Sequence, residues 1–429
     1  MKIEEIKKAF LEFIQIPSIT GSSGEEQACS YLEDILRNNG IESERISKIA
    51  SRPNLLAKLQ VKNAVREPLV LISHIDVVNG IQENWTHPIF GAETAEGRIW
   101  GRGTLDTKQL TMMELFAFLH LKEYEACLDR EVWFLATIDE EGGSSYGMEY
   151  VKSVKPELFR NALVISEGGG FPLLINGKKY MMLTMGEKAV CKVGLWADGT
   201  GGHASAPGDN QAMLKLAEGL KHIFGAQKEL RCGSSAIYQE MKNIVGCDEW
   251  DNSVGRDILE YAGQNSITAR SYQIGERCNV IPSKAELLLE IKVLPYAKLE
   301  DINQFLKKQL EETAVQYEIL EYQEGFECSA DNPNRRELVQ ELEAACQRNG
   351  FDGRVLPMLA LGRTDGRFFG NEESMVFGCS PVLMGDSFDR ILPKVHGNDE
   401  SILEDSFLFG CRVLDEVMQR LARITETRE

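Results

Sequence analysis

The stretch that decides the fold is Leu69-Val-Leu-Ile-Ser-His-Ile-Asp-Val-Val78. Its run of branched apolar residues is typical of a strand that is buried on both faces within a parallel sheet. Side chains two residues apart on a strand point to the same face, so His74 and Asp76 face the same way. This arrangement suits a metal-binding histidine oriented by a carboxylate, and it also suits a buried His–Asp pair with a purely structural role.

Three further apolar runs extend the sheet. They also predict buried parallel strands, at residues 54–59, 132–138 and 163–166. Helical patterns lie around these strands, at residues 3–15, 25–39, 108–122 and 146–152. The pattern resumes after about residue 328, with helices at 335–349 and 401–424, a strand at 354–359 and a helix-like segment at 365–369. Such alternation predicts an α/β fold, a mainly parallel sheet with helices on both faces.

The pattern changes between residues 187 and 326. Ala189, Cys191, Val193, Leu195 and Ala197 alternate with less apolar residues, which predicts a strand with one polar face. The following elements complete the order β-α-β-β-α-β, the ferredoxin-like arrangement, with residues 226–264 as an insertion. We therefore predict an α/β domain formed by residues 1–186 and 327–429, interrupted by an α+β lid at residues 187–326.

Charge and composition exclude several classes of partner. The 429 residues include 47 Lys and Arg against 66 Asp and Glu, a net charge of −19. This balance argues against nucleic acid or an anionic membrane surface as a partner. No apolar run reaches the roughly 18 residues that span a bilayer, and the charged start Met1-Lys-Ile-Glu-Glu-Ile-Lys-Lys lacks the apolar stretch of a signal peptide. We expect a cytoplasmic protein whose ten scattered cysteines are structural thiols.

Carboxylates stand where the predicted strands end. Asp106 opens a predicted helix, Glu140 and Glu141 follow one strand, and Glu167 follows another. Because the carboxyl ends of parallel strands meet at one sheet edge, we expect these acids to gather near His74. Each of them alone also fits a solvated loop residue or, for Asp106, a helix cap. Crowded together, however, they require a cation.

His396, before the last predicted helix, is a second imidazole candidate. Histidines and carboxylates form a mixed nitrogen and oxygen ligand set, which suits Zn²⁺, Co²⁺ or Mn²⁺ rather than Ca²⁺ or Mg²⁺. Five ligands exceed the needs of one tetrahedral site. They fit two ions bridged by a carboxylate and a water, the arrangement of metal-assisted hydrolysis. The predicted cofactors are therefore two divalent ions, with Zn²⁺ expected first.

Seven motifs occur in order along the chain: Ser73-His-Ile-Asp-Val-Val, Trp85-Thr-His-Pro-Ile-Phe, Gly101-Arg-Gly-Thr-Leu-Asp-Thr-Lys, Asp139-Glu-Glu-Gly-Gly, Gly201-Gly-His-Ala-Ser-Ala-Pro, Asn279-Val-Ile-Pro and His396-Gly-Asn-Asp-Glu. As a set they resemble the dinuclear zinc aminoacylase/carboxypeptidase superfamily, which includes carboxypeptidase S, succinyl-diaminopimelate desuccinylase and acetylornithine deacetylase. The resemblance covers nearly the whole chain. It implies a metal-dependent hydrolase that cleaves an amide bond next to a free carboxylate, in short peptides or N-acyl amino acids.

The resemblance also implies roles for the residues of the site. It assigns five metal ligands, which are His74, Asp106, Glu141, Glu167 and His396. Asp106 would bridge the two ions, and the two histidines would bind different ions. Glu140 would be the general base that takes a proton from the water between the ions and passes it to the leaving nitrogen, and Asp76 would orient His74.

Three residues outside the ligand set receive roles in substrate binding. His203, in the lid, resembles the histidine that stabilises the tetrahedral oxyanion, often from the opposite subunit of a homodimer formed through the lids. By itself, a histidine after two glycines also fits a turn. Arg367, assisted by Asn279, resembles the arginine that grips the substrate carboxylate, a task suited to its planar fork. A structural ion pair between Arg367 and Asp365 is the alternative.

Two other functions are consistent with parts of the sequence. Gly143-Ser-Ser-Tyr-Gly matches the nucleophile elbow of serine hydrolases, with Ser145 as nucleophile and Asp365 and His396 in the expected order. The elbow, however, turns directly from a strand end, and here Asp139-Glu-Glu-Gly intervenes. A catalytically silent metal-binding or scaffold protein of the same fold is the second alternative. A protein that only binds metal, however, has no need of Glu140 as a base beside the ligand Glu141.

Overall fold

The structure, a computed structural model, describes residues 1–62, 64–246, 255–273, 279–370 and 373–423. These residues form two compact units. The first unit comprises the described parts of Met1–Gly186, Glu240–Arg256 and Cys328–Glu429. The second comprises those of Glu187–Gln239 and Asp257–Glu327. Part of the predicted insertion at 226–264 thus groups with the first unit.

The helices and strands of the described residues are numbered in chain order. The α-helices are α1 (Ile3–Ile14), α2 (Gly24–Asn38), α3 (Lys108–Glu123), α4 (Met148–Val154), α5 (Ala212–Gly225), α6 (Ala236–Val245), α7 (Gly255–Ala262), α8 (Leu299–Leu310), α9 (Pro333–Arg348), α10 (Phe388–Ile391) and α11 (Glu404–Ala422). The strands are β1 (Ser43–Ser47), β2 (Pro53–Leu59), β3 (Leu69–His74), β4 (Glu93–Ala95), β5 (Arg98–Trp100), β6 (Val132–Thr137), β7 (Leu163–Ser166), β8 (Pro172–Ile175), β9 (Lys178–Glu187), β10 (Ala189–Asp198), β11 (Gly202–His203), β12 (Ser266–Gln273), β13 (Val280–Ile281), β14 (Lys284–Val293), β15 (Gln316–Gln323), β16 (Phe326–Glu327), β17 (Arg354–Ala360), β18 (Met375–Gly378) and β19 (Ser401–Leu403).

The central sheet of the first unit has the strand order β1-β2-β6-β3-β7-β18-β9, and β8 and β17 also pair with β9. The strands β6, β3, β7 and β18 run parallel. All side chains of β3, β6 and β7 are buried, and α3 packs on β3 and β6. The predicted fold class, α/β with a mainly parallel sheet, is confirmed.

Some details of the sheet differ from the prediction. The expectation of a parallel strand at residues 54–59 is wrong, because β2 pairs antiparallel with both β1 and β6. An apolar run reports burial on two faces and carries no information on strand direction. The predicted helix at 401–424 begins only at Glu404, since Ser401–Leu403 is a short strand that pairs with β5. The antiparallel hairpin of β8 and β9 was not predicted.

The second unit contains a four-stranded antiparallel sheet with the order β12-β14-β10-β15. Helices α5 and α8 pack against each other, and α5 packs on β10 and β14. Along β10, the alternate residues from Ala189 to Ala197 are buried, while Lys192, Gly194 and Trp196 are half-buried. The chain therefore runs through this unit in the predicted β-α-β-β-α-β order.

Two properties concern the described residues as a whole. None of their helices combines the length and the apolar character needed to cross a bilayer. The eight cysteines among them are thiols outside disulfide bonds, and all but Cys127 are buried.

Candidate metal centre

His74 is the last residue of β3, and it is 2% exposed. Its Nδ1 donates a hydrogen bond to the backbone carbonyl oxygen of Asp76 at 2.9 Å. Its Nε2 lies 3.1 Å from Oδ1 of Asp106 and 3.6 Å from Oε2 of Glu167. Because a carbonyl oxygen only accepts, this contact places the proton of the neutral ring on Nδ1 and leaves the Nε2 lone pair facing the two acids.

The carboxylate of Asp76 has a different main contact from the one predicted. It lies 3.6 Å from Nδ1 of His74, farther than the backbone carbonyl. The fully buried carboxylate instead accepts hydrogen bonds from the backbone N–H of Glu140 at 3.2 Å, from that of Glu141 at 3.3 Å and from the hydroxyl of Thr20 at 2.8 Å. Asp76 thereby holds the turn after β6, which carries Glu140 and Glu141, against the end of β3.

A second group of potential ligands adjoins the first. Nε2 of His396 lies 3.0 Å from Oδ2 of Asp106 and 3.0 Å from Oε1 of Glu141. The ligand atoms of His74, Asp106 and Glu167 lie within 4.8 Å of one another, and so do those of Asp106, Glu141 and His396. The structure thus brings all five sequence-predicted ligands together, in two groups that share Asp106.

The electrostatics of these groups favour positive charge between the acids. Burial opposes protonation of His74, but the charge of Glu167 and the hydrogen bond with Asp106 outweigh it, and its pKa lies well above 6.5. Hydrogen bonds with Asp106 and Glu141 raise the pKa of His396 to about 10. Burial acts to raise the pKa of Asp106, yet the two imidazoles lower it overall. Because each oxygen of Asp106 faces a different histidine, the donor set fits two divalent cations that share this carboxylate.

The loop that carries Asp106 is held by Glu400, a residue to which the sequence reasoning gave no role. Oε1 of Glu400 accepts hydrogen bonds from the backbone N–H of Leu105 at 2.7 Å and of Asp106 at 3.2 Å. Oε2 accepts a hydrogen bond from Nη1 of Arg102 at 2.6 Å, and Nη2 of Arg102 donates a hydrogen bond to the backbone carbonyl of Gly397. Glu400 lies within the quoted motif His396-Gly-Asn-Asp-Glu, and that position was the signal by which the sequence could have revealed its role.

The helix-cap alternative for Asp106 is excluded, since α3 is preceded by Thr107 and has no side-chain cap.

Glu140 is the remaining acid of this centre and belongs to neither ligand group. Burial and the negative charge of Glu167 raise its pKa well above 4.5, against the opposing charges of His74 and Arg367. Nη1 of Arg367 lies 3.6 Å from Oε1 of Glu140. The carboxyl group therefore holds a proton more firmly than an exposed glutamate does.

Arg367 is buried, and its hydrogen bonds are made within the protein. Nη1 donates to the carbonyl of Thr364 at 2.6 Å, and Nη2 donates to the hydroxyl of Ser144 at 2.8 Å. Nη1 also lies 3.7 Å from Oδ1 of Asp365, the partner of the alternative interpretation. Asp365 in turn accepts from the hydroxyls of Ser144 and Thr137.

A cavity of about 250 Å³ opens at the centre. Its wall includes Asp106, Glu140, Glu141, Glu167 and His396, together with an apolar region. Arg363 lines it, whereas Arg367 is not among the lining residues. The sequence reasoning missed Arg363, although it stands in the same segment as Arg367.

His203 and Asn279 lie in the second unit. The strand β11, which contains His203, pairs with β13, and the backbone N–H of Ala204 donates to the carbonyl of Asn279 at 3.0 Å. Both His203 and Asn279 are exposed, and Nδ1 of His203 lies 2.7 Å from the hydroxyl of Ser205. The structure thus makes these two predicted residues neighbours.

The serine hydrolase alternative is wrong. Ser145 is exposed and lies in a turn between the end of β6 at Thr137 and the start of α4 at Met148, so it does not form a direct strand-to-helix elbow. Asp365 hydrogen-bonds to two hydroxyl groups, and His396 lies against Asp106 and Glu141. The three residues of the supposed triad therefore do not contact one another.

Comparisons with known proteins point to one family. Residues 70–420 match the profile of Peptidase family M20/M25/M40. The chain is 23% identical over 448 residues to N-fatty-acyl-amino acid synthase/hydrolase PM20D1 from Homo sapiens, covering 96% of this chain and 87% of that protein. The fold resembles that of the M20 family metallo-carboxypeptidase Sso-CP2 from Sulfolobus solfataricus, with a TM-score of 0.74, 20% identity and coverage of 98% and 99% of the two chains. It also resembles Bacillus subtilis YXEP, a dinuclear metal binding peptidase from the M20 family, with a TM-score of 0.59, 11% identity and 97% coverage of each chain.

Proposed function

The chain belongs to peptidase family M20/M25/M40, and on that basis we propose that it hydrolyses an amide bond next to a free carboxylate, in short peptides or N-acyl amino acids. One observation carries this proposal. A single cavity is lined by acids from both ligand groups and by Glu140, a carboxylate outside those groups. Ligands for two cations beside a separate proton acceptor are what metal-assisted amide hydrolysis requires.

The metal ions would be held by the two groups that share Asp106. His74, Asp106 and Glu167 would bind one ion, and Asp106, Glu141 and His396 would bind the other. When bound, two divalent ions supply Lewis acidity, which polarises the amide carbonyl and lowers the pKa of water. We propose Zn²⁺ because imidazole and carboxylate ligands suit it, with Co²⁺ and Mn²⁺ as substitutes.

Glu140 would move the proton. Its carboxylate accepts a proton from the attacking water and delivers it to the leaving amide nitrogen, so that the amine departs neutral. Asp76 positions Glu140 for this role through the hydrogen bond to its backbone N–H. Arg367, 3.6 Å from the Glu140 carboxylate, limits how far that side chain turns away.

Recognition of the free carboxylate is assigned to Arg363, which lines the cavity. The role predicted for Arg367 in the same task, assisted by Asn279, stays a second candidate. Because Arg363 lines the cavity and Arg367 does not, we expect Arg363→Met to weaken binding of substrates with a free carboxylate more than Arg367→Met does. Equal losses on amidated substrates would count against a carboxylate contact for either residue.

Three further expectations from the sequence also remain proposals. His203 would stabilise the tetrahedral oxyanion, and the second unit would form a homodimer. A cytoplasmic location is supported by the thiol state of the described cysteines, since a reducing compartment disfavours disulfides. Molecular mass measured by light scattering tests the dimer, and His203→Ala tests the oxyanion role through kcat.

The decisive experiment is a panel of dipeptides and N-acyl amino acids, assayed on protein stripped with EDTA and then loaded with Zn²⁺ or Co²⁺. We expect hydrolysis only after loading. Activity that survives complete metal removal, or no hydrolysis of any substrate by the loaded protein, would refute the proposed function.

A further inference from the structure

The cavity at the metal centre is lined by two chemically different sets of side chains. One set comprises the acids and His396, and the other, the apolar side, is formed by apolar side chains. The apolar side includes Phe171, Met182, Ala360, Phe388, Leu392 and Val395. No part of the proposed hydrolysis uses these side chains, although they belong to the same cavity as the scissile bond would.

The apolar side is built from packed elements of the first unit. The rings of Phe171 and Phe388 lie 5.7 Å apart, centre to centre, and they are 8% and 7% exposed. Met182, on β9, is 1% exposed, and Ala360, at the end of β17, is 2% exposed. Close packing of this kind leaves the wall few ways to rearrange.

The backbone next to Phe171 is also tightly packed. A Cβ at Gly169 would lie 2.1 Å from the carbonyl oxygen of Gly378, and one at Gly170 would lie 2.2 Å from the backbone of Ser380. The two glycines therefore allow this segment to lie directly against the backbone of Gly378 and Ser380. Phe171 follows it at once, so its position is set by backbone packing.

The chemistry of this wall selects the group that binds there. A polar or charged group would lose its hydration beside the two phenylalanine rings and gain no hydrogen bond from them. An apolar group has no hydrogen bonds with water to lose, and its removal from water lowers the free energy of binding. At about 30 Å³ for each water molecule, the volume of 250 Å³ corresponds to roughly eight waters. The same cavity would also hold the scissile amide and the attacking water, so about eight carbon atoms is an upper limit for an apolar group bound there.

We propose that the apolar part of this cavity is a subsite for an apolar group of up to about eight carbon atoms carried by the substrate. The inference rests on the proposed amide hydrolysis and names its substrate class. The group is either the acyl chain of an N-acyl amino acid or an aliphatic or aromatic side chain next to the scissile bond. N-acetylglycine, which has neither an apolar acyl chain nor an apolar side chain, leaves the apolar wall empty and is a poor substrate.

Two substrate series distinguish the two sources of the apolar group. In the first, one amino acid carries acetyl, butanoyl, hexanoyl, octanoyl or dodecanoyl groups. In the second, the acyl group is fixed as acetyl and the amino acid changes from glycine to leucine to phenylalanine. We expect kcat/KM of the zinc-loaded enzyme to rise about fourfold for each added methylene in one series, and to stop rising beyond about eight carbons. Constant kcat/KM along both series overturns the proposal.

Binding provides a readout that does not depend on turnover. Dissociation constants of the same compounds are measured by calorimetry on the Glu140→Gln variant, with and without zinc. Tighter binding with increasing apolar size supports the subsite even if no compound is hydrolysed, in which case only the proposed function fails. Hydrolysis without any preference for apolar size, in rate or binding, refutes the subsite and leaves the function standing.

A matched pair of exposed leucines tests the location of the subsite. Leu392 lines the cavity and is 43% exposed, whereas Leu174 is 50% exposed and is not a lining residue. Because both are exposed, neither replacement by alanine should impair folding. We expect Leu392→Ala to reduce the preference for the best substrate over the smallest member of the same series by about fourfold, and Leu174→Ala to leave it unchanged. Equal effects of the two changes would contradict this location.

Discussion

Replacing Glu400 with glutamine tests how the position of Asp106 is maintained. Glu400 is fully buried, and Arg102 is 2% exposed. In the variant, the amide oxygen can still accept from the backbone of Leu105 and Asp106, but the NH₂ group would then face the guanidinium of Arg102, a donor against a donor. The buried arginine also loses its charge partner. We expect the loop that carries Asp106 to shift in response.

The expected effect is on both metal affinity and stability. Loss of a residue that orients a metal ligand lowers affinity about 10- to 100-fold, which corresponds to roughly 1.4 to 2.8 kcal/mol of binding free energy. Breaking a buried ion pair by removing one partner costs about 3 to 5 kcal/mol of folding stability. Zinc affinity is measured by competition with a chelator, and stability by thermal melting followed by circular dichroism. The double variant Arg102→Met/Glu400→Gln removes both charges and should be more stable than Glu400→Gln alone.

The control is Asp352→Asn, which removes the negative charge from the exposed ion pair between Nζ of Lys179 and Oδ1 of Asp352. It should change neither zinc affinity nor melting. If Glu400→Gln binds zinc as tightly as the unmodified protein and melts at the same temperature, Glu400 does not position Asp106, and the reasoning is refuted.

Three further changes probe the site. Glu140→Gln should retain both metal ions, measured by elemental analysis, and lose about 10²- to 10⁴-fold in kcat; the exposed change Glu149→Gln is its control, and near-normal turnover would reject Glu140 as the base. Asp76→Asn supplies one carbonyl oxygen where two carboxylate oxygens accept from three donors, so we expect kcat to fall about 10- to 100-fold with an unchanged circular dichroism spectrum. Wild-type kinetics would show that this network is dispensable. Ser145→Ala should have no effect on turnover, and labelling of Ser145 by a fluorophosphonate with loss of activity would reverse that conclusion.

The predicted ligand set shows which features of a site can be predicted from local sequence. His74, Glu141 and Glu167 each stand at or just after the end of a strand, and the ends of β3, β6 and β7 meet because those strands are parallel neighbours. The apolar runs were therefore enough to predict that strand-end acids gather near His74, whereas the family resemblance assigned the ligands among them. The same runs could not reveal that β2 is antiparallel, since strand direction depends on which neighbour a strand finds.

The segment at residues 362–367 shows the opposite case. Both arginines carry the same charge and stand four residues apart, so nothing in the local sequence distinguishes Arg363, in the cavity wall, from Arg367, which donates to Thr364 and Ser144. The contacts of Glu400 and Asp76 could not be predicted from local sequence either, because their main partners are backbone N–H groups of distant segments. A backbone donor has no sequence signature.

The sequence by itself determined the fold class, the β-α-β-β-α-β order of the second unit and the gathering of acids near His74 at the sheet edge. Periodicity and strand-end position encode those features locally, whereas the assignment of five metal ligands came from the family resemblance of the motifs. Only the tertiary structure decided which carboxylate faces which histidine, what holds each of them in place, and that the lining of the adjoining cavity includes many apolar side chains. Those properties arise from contacts between segments far apart in the chain, and such contacts exist only once the chain is folded.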